Sequence, residues 1–135
     1  RLPMKRKTQQ RAAIEIALSA SDRPLSPQEI LEIAQAGLPG LGIATVYRTI
    51  KTLVEDDWLR EVELPGEASR YELAGKGHHH HFHCRVCNSV FEVEDCPGEL
   101  DHVTPKGFKL ESHEIILYGL CAACNAKDRR LTISY

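Results

Sequence analysis

Residues 41–64 read LGIATVYRTIKTLVEDDWLREVEL, and the periodicity changes partway along. Up to Trp58 the apolar residues Val46, Ile50, Leu53 and Val54 recur at helical spacing, which turns them toward a core. Thr45, Arg48, Lys51 and Thr52 are left on other faces, with Tyr47 beside them. From Trp58 the pattern alternates as WLREVEL, the mark of a half-buried strand.

Two helices are expected before this stretch. TQQRAAIEIALSAS places Ala13, Ile14, Ala17 and Leu18 on one helical face. LSPQEILEIAQAG starts with Ser26 as N-cap, Pro27 at the first helical position and Glu29 at the reciprocal capping-box position. Gly37 is the expected residue just past its end. After WLREVEL comes the turn PGEA and a second strand, SRYELA. Three helices followed by a two-stranded hairpin is the order of a winged helix-turn-helix.

The remainder is of another kind. The stretch GHHHHFHCRVC at 77–87 holds five of the seven histidines and runs into a Cys-x-x-Cys pair. SVFEVED is a strand candidate, and CPGELDHVTPKG holds at most a short helix. GFKLESHEIILYG reads as a longer strand with Leu110, Ile115 and Leu117 available for a core, followed by CAAC and a polar tail. The expected class is therefore α+β: a winged helix over 1–75 and a small α/β unit over 76–135, in which metal supplements a thin core.

Composition narrows the function. With a net charge of -2, the molecule is not a uniformly basic nucleic-acid binder. Yet Arg1, Lys5, Arg6, Lys7 and Arg11 all precede the first acidic residue, Glu15, and form either a basic arm or a solvated terminus. No apolar run approaches the roughly 20 residues that span a bilayer, and no signal peptide is visible, so a cytoplasmic location is expected. In that compartment five cysteines point to metal rather than to disulfides.

Cys84, Cys87, Cys121 and Cys124 form two C-x2-C pairs. Four thiolates suit tetrahedral zinc, and a closed S4 shell leaves no position for a substrate, so this site reads as structural. Cys96 is left over, either a small apolar residue or thiol at a strand end or, alternatively, a ligand. The histidine run is internal, unlike a purification tag. If extended, it points His78 and His80 one way and His79 and His81 the other, so that one strand can serve two metal sites. His83 would share the second side as a bystander. A solvated metal-scavenging loop fits the composition equally well.

GIATVYRTIKTLVEDDWLREVEL, SRYEL, HHHHFHCRVC and HEIILYGLCAAC together resemble the ferric-uptake-regulator (Fur) superfamily of metal-dependent repressors, over nearly the whole chain and in the family's order. The resemblance implies a winged-helix DNA-binding domain hinged to a dimerisation domain, a structural zinc in the four cysteines, and a homodimer that grips a palindromic operator in double-stranded DNA. It implies a regulatory site in the dimerisation domain of His78, His80, Glu99 and His113, with Glu111 as the fallback for Glu99. Iron-type members use Asp where this chain has His80, so the set leans to the zinc-uptake-regulator (Zur) branch. Zinc is then the expected regulatory ion, with iron(II) or manganese as alternatives.

The resemblance also implies a hinge site of Glu72, His79, His81 and Glu92. The second-helix His of many iron- and peroxide-responsive members is missing, its position falling near Pro24. The Cys of many zinc-type members is missing too, with Ala74 nearest. Tyr47 and Arg48 are the expected base contacts, and Thr45, Lys51, Lys5, Arg6, Lys7 and Arg11 the expected phosphate contacts. The expectation is thus a repressor and not an enzyme. A peroxide-sensing repressor is a rival within the family. A zinc hydrolase is a remote one, since no H-E-x-x-H is present and a winged helix would have no role in it.

Overall fold

The computed structural model describes residues 2–133, with side chains described over 8–128. The chain divides into two compact units, Arg1–Lys76 and Gly77–Tyr135.

The first unit contains α1 (Leu2–Ala20), α2 (Pro27–Ala34), α3 (Ile43–Glu55), β1 (Leu59–Val62) and β2 (Arg70–Leu73). The start of α2 is fixed locally. The Ser26 hydroxyl accepts the Glu29 N–H at 3.1 Å, while the Glu29 carboxylate accepts the Ser26 N–H at 2.9 Å. These bonds satisfy two of the amide donors that a helix start leaves open. The far end differs from expectation. The helix closes at Gln35 in right-handed conformation, and Gly37 continues the turn by donating to the Ala34 carbonyl at 3.1 Å, so no left-handed glycine cap is used.

Helical spacing brings Ile14, Ala17 and Leu18 of α1, Ile30, Leu31 and Ala34 of α2, and Val46, Ile50 and Leu53 of α3 into one core with Leu25, Leu41 and Leu59. Val54 and Trp58 pack against it half-buried. The wing is antiparallel, with Arg60 opposite Glu72 and Glu61 opposite Tyr71. Leu25 adds a short third rung, exchanging backbone hydrogen bonds of 2.9 and 2.8 Å with Tyr71. No described helix is long and apolar enough to cross a membrane.

The second unit contains β3 (His80–Cys84), β4 (Val90–Val93), the single 3-10 turn Asp101–Val103, β5 (Ile116–Gly119) and α4 (Ala122–Ile133). The sheet order is β4-β3-β5, with β3–β4 antiparallel and β3–β5 parallel. Gly119 makes room for the Phe82 ring here. It lies opposite Cys84, and a Cβ on it would stand 3.1 Å from the Phe82 ring.

Two expectations are corrected in this unit. The long strand over 107–119 shrinks to Ile116–Gly119, because β3 offers partners only from His81 to Cys84. Leu110 and Leu117 are consequently exposed rather than core. The polar tail is the helix α4. Among the described residues of this unit the buried apolar ones are Cys84, Val90 and Cys121, while His79, His80, His81 and His83 are buried beside them. Its interior is built of sulfur and imidazole rather than hydrocarbon.

Candidate metal centres and recognition helix

The first centre sits where β3 and β5 end. Because these strands run parallel, both C-x2-C pairs emerge at the same end of the sheet. Residues 84–88 fold back so that the Asn88 N–H reaches the Cys84 carbonyl at 3.0 Å, with Asn88 at φ 64, a left-handed position that Asn tolerates. His83 donates through Nε2 to the Asn88 side-chain carbonyl, which gives it a place in the knuckle as a turn support.

Cys84, Cys87, Cys121 and Cys124 then bring one sulfur each within 4.8 Å of the others. On a tetrahedral zinc shell with bonds of about 2.3 Å, sulfurs stand about 3.8 Å apart. Cys87 Sγ lies 3.8 Å from Cys121 Sγ. The electrostatics suit a metal too. Backbone N–H groups of Cys121, Cys87 and Val86 hold the Cys84 thiol down to about 5, so it is a thiolate at neutral pH. The N–H and hydroxyl of Ser89 lower that of Cys87. Cys124, hydrogen-bonded to Cys121, partly desolvated and crowded by the other sulfurs, is pushed up to about 12. With no cation present, four sulfurs this close cannot all be ionised.

The second centre uses one face of β3. The His78 and His80 ring centroids are 4.5 Å apart, and the His79 and His81 centroids are 4.9 Å apart, so alternation does sort the run into two pairs. With His78 and His80 are gathered His113 and Cys96, all four within 4.8 Å. His78 Nε2 is 3.2 Å from His113 Nε2, and Cys96 Sγ is 3.3 Å from both His80 Nε2 and His113 Nε2. The expected Glu99 is not in this group, nor is its fallback Glu111, and both are exposed. Residues 94–100 lack regular structure, and Gly98 at φ 86 turns the chain just after Cys96, so neither helix nor strand carries the counted spacing to Glu99.

Burial, together with the neighbouring His78 and His113 imidazoles, lowers the His80 pKa and so favours the neutral ring, the form that ligates. The Ile115 N–H donates to His80 Nδ1 at 3.2 Å, so the neutral ring carries its proton on Nε2, toward Cys96. Ligation through Nε2 moves that proton to Nδ1 and gives up the Ile115 bond, at a cost of about 1 kcal/mol. That is small against the order of 10 kcal/mol a zinc site can release.

On the other side lie His79, just before β3, and His81 within it, with Glu92 paired opposite His81 on β4. His79 Nδ1–H donates to the Gly77 carbonyl at 2.7 Å, and its Nε2 lies 3.5 Å from Glu92 Oε1. In this tautomer the lone pair is on Nε2, the form in which that nitrogen can ligate an ion. Glu72 belongs to the first unit, where Arg60 Nη2 bonds it at 2.9 Å across the wing.

On α3, Tyr47 is 56% exposed, too open for a core aromatic. Arg48 and Lys51 are also exposed, and Arg48 Nη2 donates to Thr45 Oγ1 at 3.1 Å. Arg11 is engaged within its unit, with Glu15 at 3.1 Å and Asp56 at 3.5 Å, and its pKa is raised chiefly by the Glu15 bond. The side chains of Lys5, Arg6 and Lys7, and Arg1 altogether, lie outside the described residues.

Residues 4–118 match the model of the ferric uptake regulator family. A ferric uptake regulation protein of Campylobacter upsaliensis is 36% identical over 127 residues, covering 90% of this chain and 81% of the relative. The Helicobacter pylori ferric uptake regulator, whose structure is described as revealing three functional metal-binding sites, is 29% identical with a TM-score of 0.67. That match covers 93% of this chain and 89% of the other. FurB of M. tuberculosis, described as a zinc uptake regulator, is 32% identical with a TM-score of 0.51, covering 88% and 95%. The chain belongs to the ferric uptake regulator family, whose members are metal-dependent transcriptional regulators that bind DNA and act as dimers.

Proposed function

We propose that this family member is a zinc-responsive repressor of metal-uptake genes that acts as a homodimer on a palindromic operator. The observation that carries the reading is the cluster of three imidazole nitrogens from His78, His80 and His113 beside a complete four-cysteine shell. Imidazole-rich tetrahedral sets suit zinc, whereas iron(II) and manganese favour more oxygen ligands. The four cysteines are read as the structural zinc site and the three imidazoles as the regulatory one. His79, His81 and Glu92 are a second candidate set, to which the resemblance adds Glu72.

A bound ion supplies several simultaneous bonds to side chains that the chain alone holds only loosely. His80 sits on β3, whereas His113 lies in a segment without regular structure just before β5. Holding the two together therefore orders the approach to β5. Leu117 and Tyr118 are 45% and 52% exposed on this edge strand, and Phe108 is 71% exposed nearby in sequence. An open apolar sheet edge favours pairing with a second copy. On DNA, two-fold symmetry places the two α3 helices in successive major grooves, with Tyr47 on thymine methyls, Arg48 on guanine, and Thr45 and Lys51 on phosphate.

The test is binding to an operator fragment during titration with zinc, iron(II) and manganese against a chelator. Tightening with zinc at the lowest free concentration is expected. Tightening with iron(II) or manganese alone overturns the zinc assignment and favours the iron-type reading of the same site.

A further inference from the structure

We infer that Cys96, rather than any carboxylate, is the fourth ligand of the regulatory centre, making it a His3Cys site selective for thiophilic ions. The inference rests on the reading of His78, His80 and His113 as a metal site. Three observations carry it.

First, Cys96 Sγ lies 3.3 Å from both His80 Nε2 and His113 Nε2. A tetrahedral shell with Zn–N of about 2.0–2.1 Å and Zn–S of about 2.3 Å puts nitrogen and sulfur about 3.6 Å apart, and two nitrogens about 3.3 Å apart. The sulfur–nitrogen distances and the 3.2 Å between His78 and His113 fall within a few tenths of an ångström of those edges.

Second, the backbone is arranged around the sulfur. Gly98, at φ 86, takes a turn that a residue with a Cβ adopts only under strain, and its N–H is directed at Cys96 Sγ from 3.5 Å. A backbone donor on a sulfur stabilises a thiolate, the ligating form.

Third, the competing carboxylates are elsewhere. Glu99 and Glu111 are exposed and outside the group, whereas Cys96 is partly buried within it.

Thiolate ligation has a consequence for metal choice. Sulfur favours zinc over manganese and iron(II), which prefer oxygen. Selectivity would therefore be set by Cys96 as well as by His80.

The experiment uses the full chain with one zinc already in the four-cysteine shell and cobalt(II) added as the probe. The expected result is a near-ultraviolet thiolate-to-cobalt charge-transfer band in the parent protein. That band should be lost in Cys96→Ser and kept in Glu99→Gln. Zinc affinity at this centre should fall at least about tenfold in Cys96→Ser, with a smaller change for manganese. Retained zinc stoichiometry in the four-cysteine shell and unchanged hydrogen-exchange protection of the second unit's amides show that the variant is folded. A second measurement avoids substitution: in the parent protein, filling the centre with zinc should protect Cys96 from alkylation, read by peptide mass spectrometry.

A band that survives Cys96→Ser, or a Cys96 alkylated equally fast with and without zinc, overturns the inference. Loss of cobalt binding in His80→Ala alongside either result leaves the three-imidazole site standing. Cobalt binding unchanged in both His80→Ala and His113→Ala removes that site itself.

Discussion

The two units solve the same problem with different materials. The first buries hydrocarbon from three helices and a wing, with Ile14, Leu25, Ile30, Val46 and Leu53 almost wholly enclosed. The second is shorter, and among its described residues the buried apolar ones are Val90 and two cysteines, with imidazoles buried beside them. Hydrocarbon contributes on its own, about 1.5–3 kcal/mol for each large side chain removed from water. Buried imidazole and thiol contribute only when their lone pairs are satisfied, and ions can do that. One unit is therefore expected to hold its shape under all conditions, and the other only where metal is available. This is a reasonable division between a DNA reader and a sensor.

The sharpest way to break the comparison is to remove the structural ion. Cys121→Ser, or a strong chelator, should unfold the second unit, since the lost binding free energy is on the order of 10 kcal/mol. Trp58, the sole tryptophan and packed on the first unit's core, should keep its emission, while the second unit's amides lose hydrogen-exchange protection. Loss of both signals together would show that the first unit leans on the second.

The converse change is Leu53→Ala in the first core. It should cost about 2–5 kcal/mol in denaturant unfolding followed through Trp58, with the zinc content per chain unchanged. A fall in zinc content would contradict the division.

Acid separates the units as well. Cys84, held down to about 5, is a thiolate across the neutral range, whereas Cys124, pushed up to about 12, keeps its proton until a cation displaces it. Zinc uptake at pH 7 should therefore release the Cys124 proton, measurable with a pH indicator. Stability from a lowered thiol pKa is present above the unfolded value near 8.5 and is lost as pH falls through about 5. Zinc release should follow that direction, while Trp58 emission stays level over the same range.

The smallest expected effect is at the start of α2. Ser26→Ala removes one capping-box bond and should cost about 1 kcal/mol, confined to the first unit. A change in cobalt or zinc binding from this variant would be evidence of coupling between the units.

Legibility in the sequence followed locality. The capping box of Ser26 and Glu29 and the apolar face of α3 depend on neighbours three or four residues apart, so spacing alone revealed them. The two C-x2-C pairs are equally compact, and their convergence needed only the assumption of a shared ion. The alternation of the histidine run was visible because strand periodicity is local. A ligand role for Cys96 was only one of two readings, because its partners lie 16 and 17 residues away through segments without regular structure. Counting positions to Glu99 crosses the same irregular segment, and spacing carries over between relatives only where helix or strand fixes the rise per residue. Leu110 and Leu117 alternated well enough to suggest a long strand, yet pairing length is set by β3, which sequence periodicity in the partner cannot reveal.

The parallel pairing of β3 with β5 also sets a schedule. Synthesis runs from the N-terminus, so the first two cysteines emerge some 34 residues before the partners that close their shell. During that interval β3 has no neighbour on one side, and the knuckle at 84–88 can offer only half a shell. The second unit can close only when α4 is made, and a chain cut short before Cys121 would carry a finished reader with no working sensor.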